Sequence, residues 1–284
     1  MEKVYNKDVF DFLKEVDDNS IDLILTDPPY NMNKEYWDKF DNLEKFLEFT
    51  YKWIDMCIPK LKENGSIYIF NNPFNSAFIL THLHTRGLNY KNTIIWNRKD
   101  GISSSKKRYN QNQEQILFFT KNNKDYTFNY DDIREPYESV DRIKAASKKG
   151  ILKNGKRWFP NENGKLCSDV WNFSSERHKN KLNGKVVKME HVTPKPKDLI
   201  ERIILASSNK GDVVMDPFVG MGTTAIVSKK NGRNFIVNDF DEKNIEITNK
   251  TLKLKFQIKI IIDRWDSNGQ EQKALDLCLK NSKK

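Results

Sequence analysis

Residues 21–30, Ile21-Asp22-Leu23-Ile24-Leu25-Thr26-Asp27-Pro28-Pro29-Tyr30, decide how this chain folds. The apolar run Ile21, Leu23, Ile24, Leu25 reads as a buried parallel strand. Two prolines directly behind it stop the strand, because each lacks a backbone N–H and has a fixed φ. Asp27 is thereby held at a strand's carboxyl end, where open α/β sheets place their ligands. Pro28 keeps a carbonyl acceptor beside that carboxylate, Pro29 completes the stop, and Tyr30 adds a flat aromatic surface. Two acceptors and a stacking ring suit a planar group that carries an NH2, such as a nucleobase. A strand cap beside a surface tyrosine is the plainer reading of the same few residues.

Outward from this stretch, strands and helices alternate. The spacing predicts a strand at 3–7 and a helix at 8–17, then a helix at 42–60. Asn64-Gly65 reads as a turn into a strand from Ser66 to Phe70, and Asn71-Asn72-Pro73 opens a helix that Gly87 stops. Strands follow at about 90–96 and 114–120. Residues 121–190 read as a loop-rich inserted module whose strands are too short to place. Order returns at Pro194-Lys195-Pro196 with a helix leading to Gly211. A strand (Val213–Met215), a helix over 222–231, a strand (Phe235–Val237) and a helix from Glu242 complete the series. This alternation predicts an α/β fold with a mostly parallel sheet and helices on both faces. Beyond it, Leu252, Leu254, Phe256, Ile258 and Ile260 alternate with polar residues at strand period, and no function attaches to them.

The 284 residues are enough for one large α/β domain with an inserted module. Cys57, Cys167 and Cys278 form no CxxC pair, and the four histidines form no HExxH. Neither a disulfide framework nor a metal site is expected. With no leader and no apolar run near about 18 residues, the expectation is a soluble cytoplasmic protein without membrane contact. The net charge is +10, and its distribution matters more than its size. From Arg142 to Lys197 there are 15 Lys and Arg against 4 Asp and Glu, whereas the rest of the chain has 34 against 35. The basic segment also carries Trp158, Phe159, Trp171 and Phe173. Basic groups interleaved with aromatics suit a polyanion that has bases, so nucleic acid is the expected partner. A solvated basic face is the alternative. The candidate contacts are Arg98, Lys106, Lys107 and Arg108 on a polar loop, and Arg142, Lys144, Lys148, Lys149, Lys153, Lys156, Arg157, Arg177, Lys179 and Lys181 in the segment itself.

A second chemical motif, Asp216-Pro217-Phe218-Val219-Gly220-Met221-Gly222-Thr223-Thr224, lies between a strand and a helix. Its glycines let the backbone approach a ligand, and the helix start offers free N–H groups. With Ala225 it is close to a dinucleotide fingerprint, and Asp239 ends the next strand where a ribose-binding acid belongs. Asp216 inside the loop is awkward for a pyrophosphate and useful for an ammonium or sulfonium, which favours S-adenosylmethionine over NAD. A tight structural turn is the bland alternative.

Asp27-Pro28-Pro29-Tyr30 early, with Phe218-Val219-Gly220-Met221-Gly222-Thr223 late, resembles the β group of DNA amino-methyltransferases. The wording of Arg157-Trp158-Phe159-Pro160 and Phe173-Ser174-Ser175 is similar to the MboII-like adenine methyltransferases of type IIS restriction–modification systems. The resemblance implies a Rossmann-like methyltransferase fold with S-adenosylmethionine as cofactor and double-stranded DNA as substrate. It assigns 1–120 and 191–252 to catalysis and cofactor binding, and 121–190 to target recognition, with 253–284 an extension of unknown role. It places Asp8, Asp27, Thr193, Lys195, Asp216, Pro217, Phe218, Gly220, Gly222, Thr223, Thr224 and Asp239 at the cofactor, and Asp27 through Tyr30 at the target base. Relatives often dimerise, which makes a homodimer a further expectation. Two departures stand out: Met221 replaces a small residue between the glycines, and Lys7 replaces a glycine.

The chemistry expected is transfer of a methyl group to the N6 amino group of an adenine turned out of the duplex. Asp27 and the Pro28 carbonyl would accept the two amino hydrogens while Tyr30 stacks on the base. Cytosine C5 methylation needs a thiol nucleophile, typically in a Pro-Cys pair, which is missing; cytosine N4 would use the same acceptors as adenine. An RNA adenine substrate is a further alternative. A nicotinamide-dependent dehydrogenase would leave Asp27 to Tyr30 and the basic segment unused, and a non-catalytic nucleic-acid-binding module would leave both strand-end motifs idle.

Overall fold

The computed structural model describes residues 1–32, 38–98, 106–174, 181–182, 185–186 and 194–253. In chain order the elements are β1 (Glu2–Asn6), α1 (Val9–Lys14), β2 (Ile21–Thr26), α2 (Leu43–Cys57), β3 (Leu61–Asn71), α3 (Pro73–Thr85), β4 (Asn89–Asn97) and β5 (Gln113–Thr120). They continue with α4 (Val140–Lys149), β6 (Ile151–Lys153), β7 (Lys156–Trp158), β8 (Val170–Asn172), β9 (Lys181–Leu182), β10 (Lys185–Val186), α5 (Lys197–Ser207), β11 (Val213–Asp216), α6 (Thr223–Lys230) and β12 (Asn234–Asp239). Residues 242–253 are helical as well.

Eight strands form one sheet in the order β1-β12-β11-β2-β3-β5-β4-β8. Every neighbouring pair is parallel except the two that involve β5, which runs against both β3 and β4. All six residues of β2 are buried, as the unbroken apolar run requires of a strand covered on both faces. The period of two sorts its side chains between two cores. Ile24, Ile67, Ile69, Leu117 and Phe119 join Phe12, Trp53 and Leu83 on one face. Leu23, Leu25, Tyr68, Phe70, Ile116 and Phe118 join Ile200, Ile203 and Ile204 on the other.

The expected elements are present, with differences that have physical causes. Asn64-Gly65 is not a turn before the strand but lies inside β3, where the register with β2 slips between the Ile21–Leu61 and Leu23–Ser66 pairs. Side chains are unwelcome there: a Cβ on Gly65 would lie 2.9 Å from the Lys62 carbonyl oxygen. The segment read as loop-rich contains α4, the β6–β7 hairpin and β8, and β8 extends the main sheet beyond β4. Trp171 of β8 is buried in the second core, and Asn129 donates to the carbonyls of Leu205 and Ser208, so this segment is anchored on the sheet. Leu252 ends up in a helix rather than a strand, and the alternating residues that follow, with the extension to 284, lie outside the described residues.

What the sheet positions is decided at its carboxyl edge. β1, β12, β11 and β2 are consecutive parallel neighbours, so their ends bring Asn6, Asp239, Asp216 and Thr26 side by side. β2 leads at once into Asp27 to Tyr30 and β11 into the glycine loop, while Lys7 and Asp8 follow β1 and Phe240 follows β12.

Candidate active site

The two motifs, far apart in the chain, touch. Thr26 Oγ1 donates to Asp216 Oδ1 at 2.9 Å, Thr224 Oγ1 to Oδ2 at 2.7 Å, and the Phe218 N–H to Oδ1 at 3.1 Å. Asp216 is 3% exposed, and burial pushes its carboxyl up to about 7 against the pull of these three donors. A cleft of about 590 Å³ runs over this junction. Asp27 and Pro29 line one side, Pro217, Phe218, Gly220, Thr223 and Thr224 another, and Asp8, Lys195 and Asp239 complete the ring of charge. Asp27 and Gly220 thus line one and the same space.

The glycine loop is held from below. The Gly220 N–H donates to Asp239 Oδ2 at 2.9 Å, while Asp239 Oδ1 accepts from the Asp241 N–H and from Asn244. Burial raises the Asp239 carboxyl, partly offset by these donors. Gly222 has φ +83°, and a Cβ there would lie 2.5 Å from Thr248 Oγ1, so only glycine fits where α6 begins. Asp8 caps α1, accepting the Phe10 N–H at 2.8 Å, and faces the same cleft. Asn238 ties the first strand's end to the loop, accepting the Lys7 N–H and donating to the Pro217 carbonyl.

Around Asp27 lies a partly buried charge cluster that only part of the motif reading foresaw. The Tyr30 hydroxyl donates to Asp27 Oδ1 at 2.7 Å and reaches Glu114 Oε2 at 3.2 Å. Lys195 Nζ lies 2.8 Å from Asp27 Oδ2 and 3.0 Å from Glu114 Oε2, with the rings of Phe70, Tyr30 and Trp96 around it. Arg98 donates to Glu114 Oε1 at 2.8 Å. Burial raises the Asp27 carboxyl and Lys195 pulls it back only in part. Burial works on Glu114 in the same sense, but Lys195 and Arg98 outweigh it and hold Glu114 below the usual range. For Lys195, burial is outweighed by its two carboxylates, which raise it, and the Tyr30 hydroxyl is pushed well up by burial and the same two acids.

The loop after Asp27 is shaped by residues outside the motif. Asp38 accepts the backbone N–H groups of Tyr30, Asn31 and Met32 at 2.6, 2.7 and 2.9 Å. Asn75 at the start of α3 donates to the Tyr30 carbonyl at 2.7 Å. Asn31 takes φ +56°, which asparagine tolerates better than most residues. Glu114, Asp38 and Asn75 were missing from the sequence reading. For Asp38 a polar residue eight positions beyond Tyr30 was the available signal, whereas Asn75, 45 positions away, and Glu114, between two glutamines at the start of its strand, carried none.

The remaining sequence candidates fall in three groups. Pro28 is buried and, with Tyr30, stands outside the lining of the cleft, the Tyr30 ring packing against the second core. Arg98, expected on a nucleic-acid surface, is instead engaged with Glu114. Lys106, Lys107 and Arg108 are exposed, as are Arg142, Lys144, Lys148 and Lys149 on α4 and Lys153, Lys156 and Arg157 on the β6–β7 hairpin. Trp158 and Phe159 beside them are 45% and 54% exposed, an unusual state for large rings that leaves them available to a partner. Thr193, Arg177 and Lys179 lie outside the described residues, and Lys181 is placed at the start of β9. Among the described residues no group of three His, Cys, Asp or Glu is arranged to hold a metal, and no helix is long and apolar enough to cross a membrane.

Comparison with known proteins places this arrangement among relatives. A DNA methylase family profile matches residues 21–250. The type II methyltransferase M1.MboII of Moraxella bovis is 56% identical over 250 residues, covering 88% of this chain and 96% of that protein. The DNA adenine methyltransferase YhdJ of Escherichia coli is 36% identical over 85% of this chain and 77% of its own length. Among solved structures, the M1.HpyAVI–SAM complex superposes with a TM-score of 0.58 at 27% identity, covering 88% of this chain and 100% of that one.

Proposed function

The chain belongs to the DNA methylase family, and from that premise we propose that it methylates the N6 amino group of adenine in a base turned out of duplex DNA, as the modification enzyme of a restriction–modification system. It is an S-adenosylmethionine-dependent DNA methyltransferase with a Rossmann-like fold. Adenine is favoured over cytosine N4 by the aspartate at position 27 and by the likeness to an adenine enzyme. The observation that carries the reading is the shared cleft: Asp27 and the Gly220 turn line one space and are joined beneath it by the Thr26–Asp216 hydrogen bond.

The residues present fit the cofactor. Acids at the ends of four neighbouring strands suit its cationic and ribose groups, and the open side of Gly220 leaves room for close approach. We assign Asp8, Asp216, Pro217, Phe218, Gly220, Gly222, Thr223, Thr224 and Asp239 to holding it, with Thr193 kept by resemblance. When bound, S-adenosylmethionine supplies an electrophilic methyl group on sulfur. The protein's share is positioning and charge. The adenine amino nitrogen is a poor nucleophile because its lone pair is delocalised into the ring. Asp27, which lines the cleft, accepts one amino hydrogen and so localises that lone pair towards the methyl group; the Pro28 carbonyl, next to it but outside the lining of the cleft, is kept as second acceptor from the sequence motif alone. The nitrogen that gains the methyl group carries a positive charge until it sheds one of its two protons, and Asp27, already hydrogen-bonded to one of them, takes it and passes it to solvent; no covalent intermediate with the protein is required.

We assign target recognition to 121–190, with the exposed cations of α4 and the β6–β7 hairpin meeting phosphates and Trp158 and Phe159 meeting bases. The enzyme works in the cytoplasm, where its DNA is. Resemblance extends the proposal to a homodimer, and light scattering that returns the mass of one protomer removes that part. The decisive experiment is incubation with labelled S-adenosylmethionine and unmethylated genomic DNA, followed by nucleoside analysis. N6-methyladenine in one sequence context is expected; N4-methylcytosine moves the chemistry to the other base, and label in RNA alone removes the DNA reading.

A further inference from the structure

Both oxygens of Asp27 carry donors from the protein itself. The Tyr30 hydroxyl is on Oδ1 at 2.7 Å and Lys195 Nζ is 2.8 Å from Oδ2. Each oxygen can accept a second donor, so an amino group that binds to this carboxylate either shares an oxygen with one of them or displaces it, and in both cases loosens that donor's hold. A displaced donor inside a protein is costly unless it finds another acceptor. Both have the same one in reach: Glu114 Oε2 lies 3.0 Å from Lys195 Nζ and 3.2 Å from the Tyr30 hydroxyl. Glu114 is itself fixed, because Arg98 holds its other oxygen at 2.8 Å. The rings of Phe70, Tyr30 and Trp96, 5.2 to 5.8 Å from Lys195 Nζ, favour the cation throughout a short swing between the two carboxylates.

We propose that Glu114 is a positioning residue for methyl transfer: it receives the Lys195 ammonium and the Tyr30 hydroxyl when the target amino group takes Asp27, and returns them when the methylated base leaves. The proposal rests on the reading of Asp27 as acceptor of that amino group. Asp27, Glu114, Lys195 and Arg98 together sum to zero charge, so the exchange transports no net charge into a poorly solvated site. Direction comes from counting hydrogens. The substrate amino group offers two N–H donors and the methylated product one, so Lys195 competes better for Asp27 after the reaction than before it. Glu114 thus promotes entry of the substrate, and Lys195 promotes release of the product.

The test compares Lys195→Met, Glu114→Gln and Asp27→Asn in the full chain, using the pH profile of kcat/KM on unmethylated genomic DNA. The groups facing Asp27 are Lys195, Glu114 and Tyr30, with Arg98 behind Glu114 and Asp216 behind Thr26. Lys195 draws Asp27 down against burial and Glu114 pushes it up. Losing Lys195 is therefore expected to move the acidic limb to higher pH, and losing the Glu114 charge to move it to lower pH. Glu114→Gln is also expected to raise KM for DNA on the order of tenfold, the loss of one hydrogen bond to a charged group, with a smaller change in kcat. General damage to the site would not shift the two limbs in opposite directions. An infrared titration of the carboxylates without DNA, referenced to Asp27→Asn, reads the same opposed shifts independently of turnover. If Lys195→Met does not fold, Glu114→Gln decides alone. Limbs that stay in place or move together, with Asp27→Asn inactive, overturn the exchange and leave the acceptor reading intact. Full turnover by Asp27→Asn removes that reading and the exchange with it.

Discussion

Asp27 and Asp216 follow from neighbouring parallel strands of one sheet and border the same cleft, yet their surroundings differ. Asp216 is 3% exposed, and the partners it accepts from are two hydroxyls and a backbone N–H, fixed at the end of β2, at the start of α6 and on the loop between β11 and α6. Asp27 has a side chain about one-third exposed (35%) and a mobile class of partner, a lysine shared with Glu114. A strand end delivers a carboxylate to the ligand edge, but its neighbours decide what it does there. Neutral donors locked in the backbone frame make a post that joins two motifs. An exchangeable cation makes an acceptor that a substrate can claim.

The strongest way to break this contrast is Asp27→Asn. An amide accepts less well and adds a donor facing the incoming amino group, so kcat is expected to fall at least a hundred- to a thousandfold while DNA binding is largely kept. Gel-shift titrations beside single-turnover assays separate the two. Retained turnover would make Asp27 merely structural.

Asp216 is expected to respond in stability rather than in exchange with substrate. Its carboxyl is raised to about 7, so between about pH 4 and pH 7 the folded protein binds more protons there than the unfolded chain. Stability contributed by the protonated form is present in acid and lost as pH rises through about 7, a change on the order of 4 kcal/mol. Thermal melts of the wild type and Asp216→Asn at several pH values isolate it: the difference between them should change over that interval and level off above it. A pH-independent difference would mean that Asp216 is ionised throughout.

The glycine loop sharpens the contrast on a smaller scale. Gly222→Ala meets Thr248 at 2.5 Å in addition to its positive φ, whereas Gly220→Ala at φ +53° has nothing within 4 Å. Both are expected to lose about 1–2 kcal/mol to the left-handed backbone, and Gly222→Ala about 1–3 kcal/mol more to overpacking. Equal denaturation midpoints would place the loop differently. The smallest effect is expected far from both acids. Lys148→Gln with Lys149→Gln on α4 should weaken DNA binding modestly and reduce the slope of log K against log salt by up to about 2 without altering kcat. An unchanged slope would move the DNA surface elsewhere.

Much of this was legible in residue order, and particular residues show why. The run Ile21 to Leu25 announced a strand covered on both faces, and two prolines marked its end, because burial and backbone stereochemistry act locally. Gly220 and Gly222 announced a tight approach for the same reason. Glu114 gave no such notice: it lies 87 positions beyond Asp27 in a strand whose pattern says only that it is buried. Arg98 looked like a surface cation because composition does not say which way a side chain turns. The helix α4 was hidden by its charge, although Val140, Ile143 and Ala146 share one face of it.

By itself the sequence determined the local chemistry: which strands are apolar on both sides, where each stops, and which acids and glycines wait at those stops. The tertiary structure alone decided that β5 runs antiparallel between β3 and β4, bringing Glu114 to Lys195 and Asp27, and that Thr26 meets Asp216 across the strand boundary. The reason is range. Strand ends and turns follow from forces between neighbours in the chain, whereas a charge cluster drawn from four separate segments exists only once packing has chosen which strand lies beside which.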